Sequence, residues 1–223
     1  MKAMILAAGR GERLRPLTAT TPKPLIEVGG TTLLGRHLER LARAGFTQAV
    51  INVSHLAAKI VAYFGDGKRY GLAIAWSHEA EPLETAGGIA LARALLGPEP
   101  FLLVNADIWC DYDFSGLRGL NLDGRLSHLI LVPNPAQHPA GDFSLDNGIV
   151  GNAPAPRYTY AGIAVLAPRL VDGIGAGQKA RLAPLWRAAA ERGAVSGELY
   201  TGHWSDVGTP ERLAELETRL NGR

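Results

Sequence analysis

Cysteine occurs once in the 223 residues, at Cys110. That count excludes an internal disulfide and a cysteine-built zinc site, and it fits a reducing compartment, so a cytoplasmic location is expected. No apolar segment approaches the roughly 20 residues that a membrane span needs, and the N-terminus lacks the pattern of a signal peptide. Excess charge is lacking too: 23 Lys and Arg stand against 21 Asp and Glu, a formal net of +2. Such a balance gives no support to nucleic acid as a partner. The six histidines are scattered without metal-ligand spacing, and no serine sits in a nucleophile elbow. Repeats, low-complexity tracts and domain-dividing linkers are missing as well. What remains is a chain of ordinary globular composition, 47% apolar, long enough for one large core and too short for two comfortable ones. One domain over residues 1–223 is the expectation.

The first half alternates two periodicities. Ala3 to Ala7 is a short apolar run of the kind that makes a buried strand. Leu33, Leu34, His37, Leu38 and Leu41 share one face of a predicted helix that stops at Gly45. Ala49 to Val53 reads as a buried strand, and Leu56, Ile60 and Phe64 mark the next helix. Leu72 to Trp76 is a strand candidate, Ala86 to Leu96 is helical, and Phe101 to Val104 is another apolar strand. This order predicts βαβ units in an α/β fold: a Rossmann-like domain with a mainly parallel mixed sheet. In the second half Ser127 to Val132 reads as a strand, Asn147-Gly148 as a hairpin turn, and Tyr158 to Ala167 as a long strand. Leu185 to Arg192 reads as a helix and Leu199 to Thr201 as a short strand. The glycine-rich residues Asp172 to Lys179 read as a surface loop. Thr209-Pro210 is a cap followed by proline at the first helical position, opening a helix that runs to Asn221-Gly222.

The near-neutral total conceals one local asymmetry. Between Met1 and Pro24, Lys2, Arg10, Arg13, Arg15 and Lys23 face a single acid, Glu12, which leaves 18 basic and 20 acidic residues elsewhere. A strand feeding a glycine turn, Ala8-Gly9-Arg10-Gly11, lined with Arg and Lys is a plausible cradle for a triphosphate. It is not the dinucleotide fingerprint, because Leu14 stands where the third glycine belongs, and it is not a Walker loop.

The longer string is more specific. Leu6-Ala-Ala-Gly-x-Gly-x-Arg-Leu-x-Pro-Leu-Thr18, followed by Pro22-Lys23-Pro24, closely resembles the signature of the sugar-1-phosphate nucleotidylyltransferases. The resemblance runs from Met1 to about Arg212, and no additional C-terminal acyltransferase domain is expected. It implies an Mg²⁺-dependent transfer of a nucleotidyl group from an NTP to a sugar 1-phosphate, with release of pyrophosphate. It further implies that Ala8, Gly9, Gly11, Glu12 and Arg13 hold the nucleotide, that Lys23 stands beside the phosphates, and that Arg13 and Lys23 are the catalytic cations. Asp107, at the end of an apolar run, resembles one metal ligand of the family. Asp206, in Trp204-Ser-Asp206-Val-Gly208-Thr-Pro, resembles the other. Taken alone, Asp107 reads more readily as a helix-cap or turn aspartate, and a simple turn acid is the alternative for Asp206.

For the base, Glu84-Thr85-Ala86-Gly87-Gly88 matches the family's GTAG-like loop, with Glu84 in place of the leading glycine. Glu79 stands where relatives often carry Gln; its carboxylate could accept the N3–H of uracil, which favours UTP, or it is a solvated strand-end acid. On the sugar side, Asn105 is expected at the sugar or its phosphate. Gly141, Asp142 and Tyr160 lie in segments most similar to members that take N-acetylmuramate 1-phosphate. Gly151 follows Gly148-Ile-Val where relatives for unmodified hexoses carry Glu, and that loss would empty space and remove negative charge, which suits a bulky or anionic sugar. Phe143 and Tyr160 could equally be core, and Gly151 a turn.

The alternatives are a mannose-, heptose- or glucose-1-phosphate nucleotidylyltransferase using GTP or another NTP, a glycosyltransferase, and a non-catalytic nucleotide-sugar sensor. The glycosyltransferase reading rests on the DxD pattern Asp111-Tyr112-Asp113. Oligomeric state is not readable from the chain.

Overall fold

The computed structural model describes residues 1–221. In chain order its strands are β1 (Ala3–Leu6), β2 (Glu27–Val28), β3 (Thr31–Thr32), β4 (Gln48–Val53), β5 (Ala73–His78), β6 (Phe101–Asn105) and β7 (Ile108–Cys110). They continue with β8 (Ser127–Val132), β9 (Phe143–Asp146), β10 (Ile149–Gly151), β11 (Arg157–Leu166), β12 (Val195–Leu199) and β13 (Trp204–Asp206). The helices are α1 (Leu33–Arg43), α2 (Ala57–Phe64), α3 (Glu84–Leu91), α4 (Arg93–Leu96), α5 (Leu182–Ala190) and α6 (Pro210–Asn221).

Nine strands form one mixed sheet in the order β5-β4-β1-β6-β11-β8-β12-β10-β9. The first four are mutually parallel, with β1 paired to β4 on one side and β6 on the other. Beyond β6 the sheet turns antiparallel, except for the parallel β12–β8 pair. The parallel half needs apolar residues on both faces, and the continuous runs found in the sequence supply them. Ala3, Ile5, Ile51, Val53, Leu102 and Val104 meet Leu34, Leu38 and Leu41 of α1 with Ile60 and Phe64 of α2. On the opposite face, Met4, Val50, Phe101 and Leu103 meet Ile89 of α3 and Trp186 of α5. The period of two along each strand thus divides its side chains between two helical layers.

Local chemistry sets the element ends. Thr32 caps α1, its Oγ1 accepting from Gly35 N at 3.1 Å, and Gly45 at φ 81° lets the chain leave it. Asn147 (φ 47°) and Gly148 (φ 79°) turn the β9–β10 hairpin where the sequence placed it. Thr209 Oγ1 accepts from Arg212 N at 3.4 Å, ahead of Pro210 at the start of α6. The expected helix stop at Gly222 lies outside the described residues.

Three features differ from the sequence expectation. The helix over Ala86–Leu96 is two helices, α3 and α4, parted at Ala92. The strand expected at Leu199–Thr201 lies earlier, at Val195–Leu199. Its Ser-Gly-Glu centre hides it, and Gly197 is there because a Cβ would stand 2.6 Å from Leu129 O on the neighbouring strand. Two short ribbons, β2–β3 and β7–β13, carry no periodicity long enough to read. The β7–β13 ribbon sits beside a third apolar cluster in which Leu14, Ile26, Val28 and Leu33 meet Trp109, Val207 and Leu216. Through that cluster the segment after β1 packs on α6. Among the described residues, no helix is long and apolar enough to cross a membrane.

Candidate active site

A cleft of about 730 Å³ opens beyond the carboxyl ends of β1, β4, β5 and β6, where an open parallel sheet is expected to take its ligand. Its walls come from Ala8, Gly9, Arg10, Gly11, Glu12 and Arg13, from Lys23, Asn52, Glu79, Glu84 and Thr85, and from Asn105, Asp107, Lys179 and Gly208.

The loop after β1 is pinned from below and free above. Leu14 is buried in the third cluster, and Leu14 N donates to Gly11 O at 2.9 Å. Thr18, also buried, donates its hydroxyl to the same carbonyl at 2.7 Å. Gly11 has φ 63°, and a Cβ on it would stand 3.0 Å from Thr18 Cγ2. A Cβ on Gly9 would meet nothing within 4 Å, and Gly9 lines the open cleft. Arg10, Glu12 and Arg13 are exposed around that opening.

Lys23 enters between Pro22 and Pro24, both buried, which restricts the backbone on either side of it. Its Nζ donates to Asp107 Oδ2 at 2.9 Å, with the lysine side chain 11% and the aspartate 41% exposed. Asp107 follows β6 and precedes β7, whose pairing with β13 sets Ile108 opposite Asp206. Val207 N donates to Asp107 O at 2.8 Å. The ribbon therefore holds Asp107 and Asp206 on neighbouring backbone segments, although they are 99 positions apart in the sequence. Asp206 Oδ1 accepts from Gln137 Nε2 at 2.9 Å, and its Oδ2 pairs with Arg212 Nη1. Gly208 leaves room for that pair, since a side chain there would run into the Arg212 guanidinium.

At the ends of β1, β4 and β5, sequence reasoning missed Asn52, which ties three strand ends together. Asn52 Oδ1 accepts from Ala7 N at 2.8 Å, and its Nδ2 donates to Glu79 Oε1 at 2.6 Å. Glu79 Oε2 accepts from Leu83 N at 2.8 Å. Glu79 is buried, so it is not the solvated strand-end acid that was one expectation; it lines the cleft and joins β4 and β5 to the start of α3. A polar residue inside the buried run Ala49–Val53 was the available signal. Gly88 makes space for the pair: its Cβ would lie 2.6 Å from Glu79 Oε1 and 2.8 Å from Asn52 Nδ2. Glu84 has φ 62°, a left-handed conformation that glycine adopts without strain, which accounts for the leading glycine of the usual motif. Thr85 Oγ1 accepts from Leu182 N at 2.8 Å, fastening the loop to α5.

Asn105, expected at the sugar or its phosphate, lines the cleft under Gly162 (φ 79°), whose Cβ would stand 3.1 Å from that of Asn105. Gly141, Asp142 and Tyr160 do not line it; they form an adjoining network. Asp142 Oδ2 accepts from Tyr160 N at 2.8 Å, and Oδ1 lies 3.0 Å from His138 Nε2. Gly141 has φ 61° and packs against Asn134. Gly151 leaves no void: a Cβ there would stand 2.9 Å from Ser144 Oγ. The DxD acids are both committed to the protein. Asp111 accepts from Tyr200 and from His203 N at 3.0 Å, while Asp113 accepts from Ser115 N at 2.9 Å. Beneath the site, burial and the neighbouring Arg40 push His37 down to about 4, so it is neutral at ordinary pH.

These features define the class: an α/β protein with a cation-lined glycine loop and one carboxylate, Asp107, at the open end of a parallel sheet, and a second, Asp206, on the adjoining ribbon. Residues 2–119 match the profile of the nucleotidyl transferase family, and the chain belongs to that family. It is 50% identical, over 97% of both chains, to N-acetylmuramate alpha-1-phosphate uridylyltransferase of Neisseria meningitidis serogroup B. Mannose-1-phosphate guanyltransferase beta-A of Xenopus laevis is 31% identical over 95% of this chain, which spans 62% of that relative. Among solved structures, a Bacillus anthracis protein described as a candidate glucose-1-phosphate thymidylyltransferase superposes with a TM-score of 0.88 at 19% identity, covering 100% of this chain and 96% of that one. HddC from Yersinia pseudotuberculosis, complexed with GMP-PN, gives 0.78 at 19% identity, with 98% of each chain covered. These two likenesses bear on the fold.

Proposed function

We propose that the chain transfers UMP from UTP to N-acetylmuramate α-1-phosphate, giving the UDP-sugar and pyrophosphate, as a cytoplasmic step in the recycling of peptidoglycan sugar. The observation that carries the reaction class is the meeting of the glycine loop, Lys23 and Asp107 in one cleft. The acceptor and the nucleobase rest on the 50% identity over 97% of both chains to the Neisseria enzyme. The 62% span of the guanylyltransferase relative makes mannose 1-phosphate with GTP the weaker reading.

In the reaction an oxygen of the sugar phosphate forms a bond to the α-phosphorus of UTP, and the bond from that phosphorus to the β-bridging oxygen breaks. The attacking phosphate monoester is already ionised near pH 7, so no general base is required. Catalysis is then positioning and charge neutralisation. The backbone of Ala8, Gly9 and Gly11, with Glu12 shaping the turn and Arg13 above it, holds the β- and γ-phosphates. Lys23, fixed between two prolines, bridges the α-phosphate and the incoming sugar phosphate. Asn105 meets the acceptor at the end of β6. Glu84 and Thr85 bound the base, with Glu79 fixing the wall behind them. Gly141, Asp142 and Tyr160 shape the acceptor side.

The donor chemistry suits a magnesium ion: Asp107 and Asp206 are hard oxygen ligands on adjoining segments, and among the described residues no third protein ligand joins them. Bound there, Mg²⁺ would supply charge neutralisation and alignment of the two phosphates. Lys23 on Asp107 and Arg212 on Asp206 keep those carboxylates paired in its absence.

The test is a pyrophosphate-release screen of UTP, GTP, CTP, ATP and dTTP against N-acetylmuramate, N-acetylglucosamine, glucose and mannose 1-phosphates, with and without Mg²⁺. Turnover is expected with UTP and N-acetylmuramate 1-phosphate and is lost with EDTA. Turnover confined to GTP and mannose 1-phosphate would replace the substrates and leave the reaction class standing. UDP release from a UDP-sugar, or tight binding without turnover, would replace the class.

A further inference from the structure

Two arginines crowd a single carbonyl beside the acceptor end of the cleft. Arg157 Nη2 on β11 and Arg187 Nη1 on α5 both donate to Asp142 O, the second at 3.2 Å. Among the described residues neither guanidinium has a carboxylate within ion-pairing distance. Asp142's own carboxylate is turned to His138 and to Tyr160 N. Like charges held this close repel, and among the described residues no carboxylate pairs with either.

The groups around the pair are short of acceptors as well. Arg157 Nε, the Tyr160 hydroxyl and Trp186 Nε1 are all buried without a hydrogen-bond partner. Buried polar groups are rarely left so, and several donors without an acceptor in one place point to an absent anion. Tyr160 packs on Trp186 at 4.7 Å, Trp186 meets Phe143 at 6.4 Å, and Arg187 lies over Phe143 at 5.1 Å, while Arg157 reaches this group only through the Asp142 carbonyl that it shares with Arg187. Burial raises the Tyr160 phenol, so it stays protonated and remains a donor.

Topology sets this cluster beside the reacting groups. β11 pairs with β6 only from Ile163 to Leu166, so residues 157–160 run on past the Asn105 end where the cleft opens. The loop that carries Asp142 also reaches Asp206, through Gln137. The facing strand positions, Gly151 and Ser144, bring no negative charge.

We infer that Arg157 and Arg187, with the Tyr160 hydroxyl and the Trp186 N–H, form an anion subsite that takes a carboxylate carried by the sugar of the acceptor. For N-acetylmuramate 1-phosphate this is the lactyl carboxylate, and the inference rests on that reading of the acceptor. A planar carboxylate matches guanidinium forks, and its charge relieves the repulsion between them. The subsite selects substrate and takes no part in bond making.

The experiment compares kcat/KM for N-acetylmuramate 1-phosphate with that for its lactyl amide, which has the same shape without the charge, at saturating UTP. Wild type is expected to favour the acid by roughly ten- to a hundredfold, the usual worth of a charged hydrogen-bonded pair. Arg187→Met should bring the ratio close to one, mainly through KM for the acid, and Arg187→Lys should recover part of it. Arg157→Met should act in the same direction, with thermal melts reporting folding; if either Met variant unfolds, Arg187→Lys against wild type decides. An unchanged ratio in the variants overturns the subsite and leaves the acceptor reading intact. Equal losses for acid and amide overturn it too, by assigning the pair to the sugar's phosphate or to the fold. Failure of wild type to turn over the acid removes both readings.

Discussion

Lys23 Nζ donates to Asp107 Oδ2 across 2.9 Å, joining two residues 84 positions apart at the mouth of the first strand's loop. The aspartate is 41% exposed, so the pair contributes little to stability, about 1 kcal/mol or less. On the proposed reading, Lys23 offers its charge to a phosphate and Asp107 offers an oxygen ligand to a cation. Asp107→Asn and Lys23→Ala should each lower kcat by about 10² to 10³, with melting midpoints close to wild type. Steady-state pyrophosphate release and thermal melts check this, and retention of more than about a tenth of the wild-type rate counts against the assignment.

Replacing glycine by alanine inside a helix normally stabilises, by up to about 1 kcal/mol. At Gly88 the sign should reverse. The added methyl would lie 2.6 Å from Glu79 Oε1 and 2.8 Å from Asn52 Nδ2, so the buried pair must part or α3 must shift. Gly88→Ala is expected to cost about 1–3 kcal/mol in urea unfolding and to weaken UTP in a nucleotide titration.

Glu84 carries a left-handed backbone at φ 62°, which for a residue with a Cβ costs roughly 1 kcal/mol. Its one ion pair, with Arg181 at 3.7 Å, is largely solvated. Glu84→Gly should therefore match wild type or gain up to about 1 kcal/mol, whereas the β-branched Glu84→Val should lose about 1–2 kcal/mol. Denaturant midpoints of the three proteins settle the order.

His37 sets an acid limit on stability. Burial first, then Arg40, holds it down to about 4 in the folded chain, against 6.5 when unfolded. Above pH 6.5 both states are neutral there and the contribution is complete. As the pH falls from 6.5 toward 4, only the unfolded chain takes up the proton, and about 3 kcal/mol is lost. Urea unfolding of wild type and His37→Gln between pH 4 and 7.5 should give a shallower acid slope for the variant.

Much of this architecture could be read from local pattern. The apolar runs of β1, β4 and β6 show a strand's buried faces directly, α1 announces its inner face through Leu33, Leu34, Leu38 and Leu41, and Asn147-Gly148 dictates its turn. The glycine loop that opens the cleft was legible for the same reason, because its glycines, cations and prolines lie within 24 consecutive residues. Asn52 was not. Inside an apolar run it looks like a core position, and only Glu79, 27 residues on, gives it a purpose. The β7–β13 ribbon joins three-residue strands almost a hundred positions apart, so resemblance could match its two acids while no periodicity could. The acceptor side was the least readable. Gly151 was expected to leave a gap, but Ser144 comes from the paired strand to fill it, and the arginine pair exists only once β11 and α5 converge on Asp142.

The ribbon that joins Ile108 to Asp206 also sets a schedule for synthesis. A ribosome will have released the signature loop, Lys23 and Asp107 long before Asp206 leaves the exit tunnel, and until then Leu14, Ile26 and Val28 lack Val207 and Leu216 to pack on. The nascent chain thus carries a half-built glycine-loop cleft with part of its apolar underside uncovered until β13 and α6 are made.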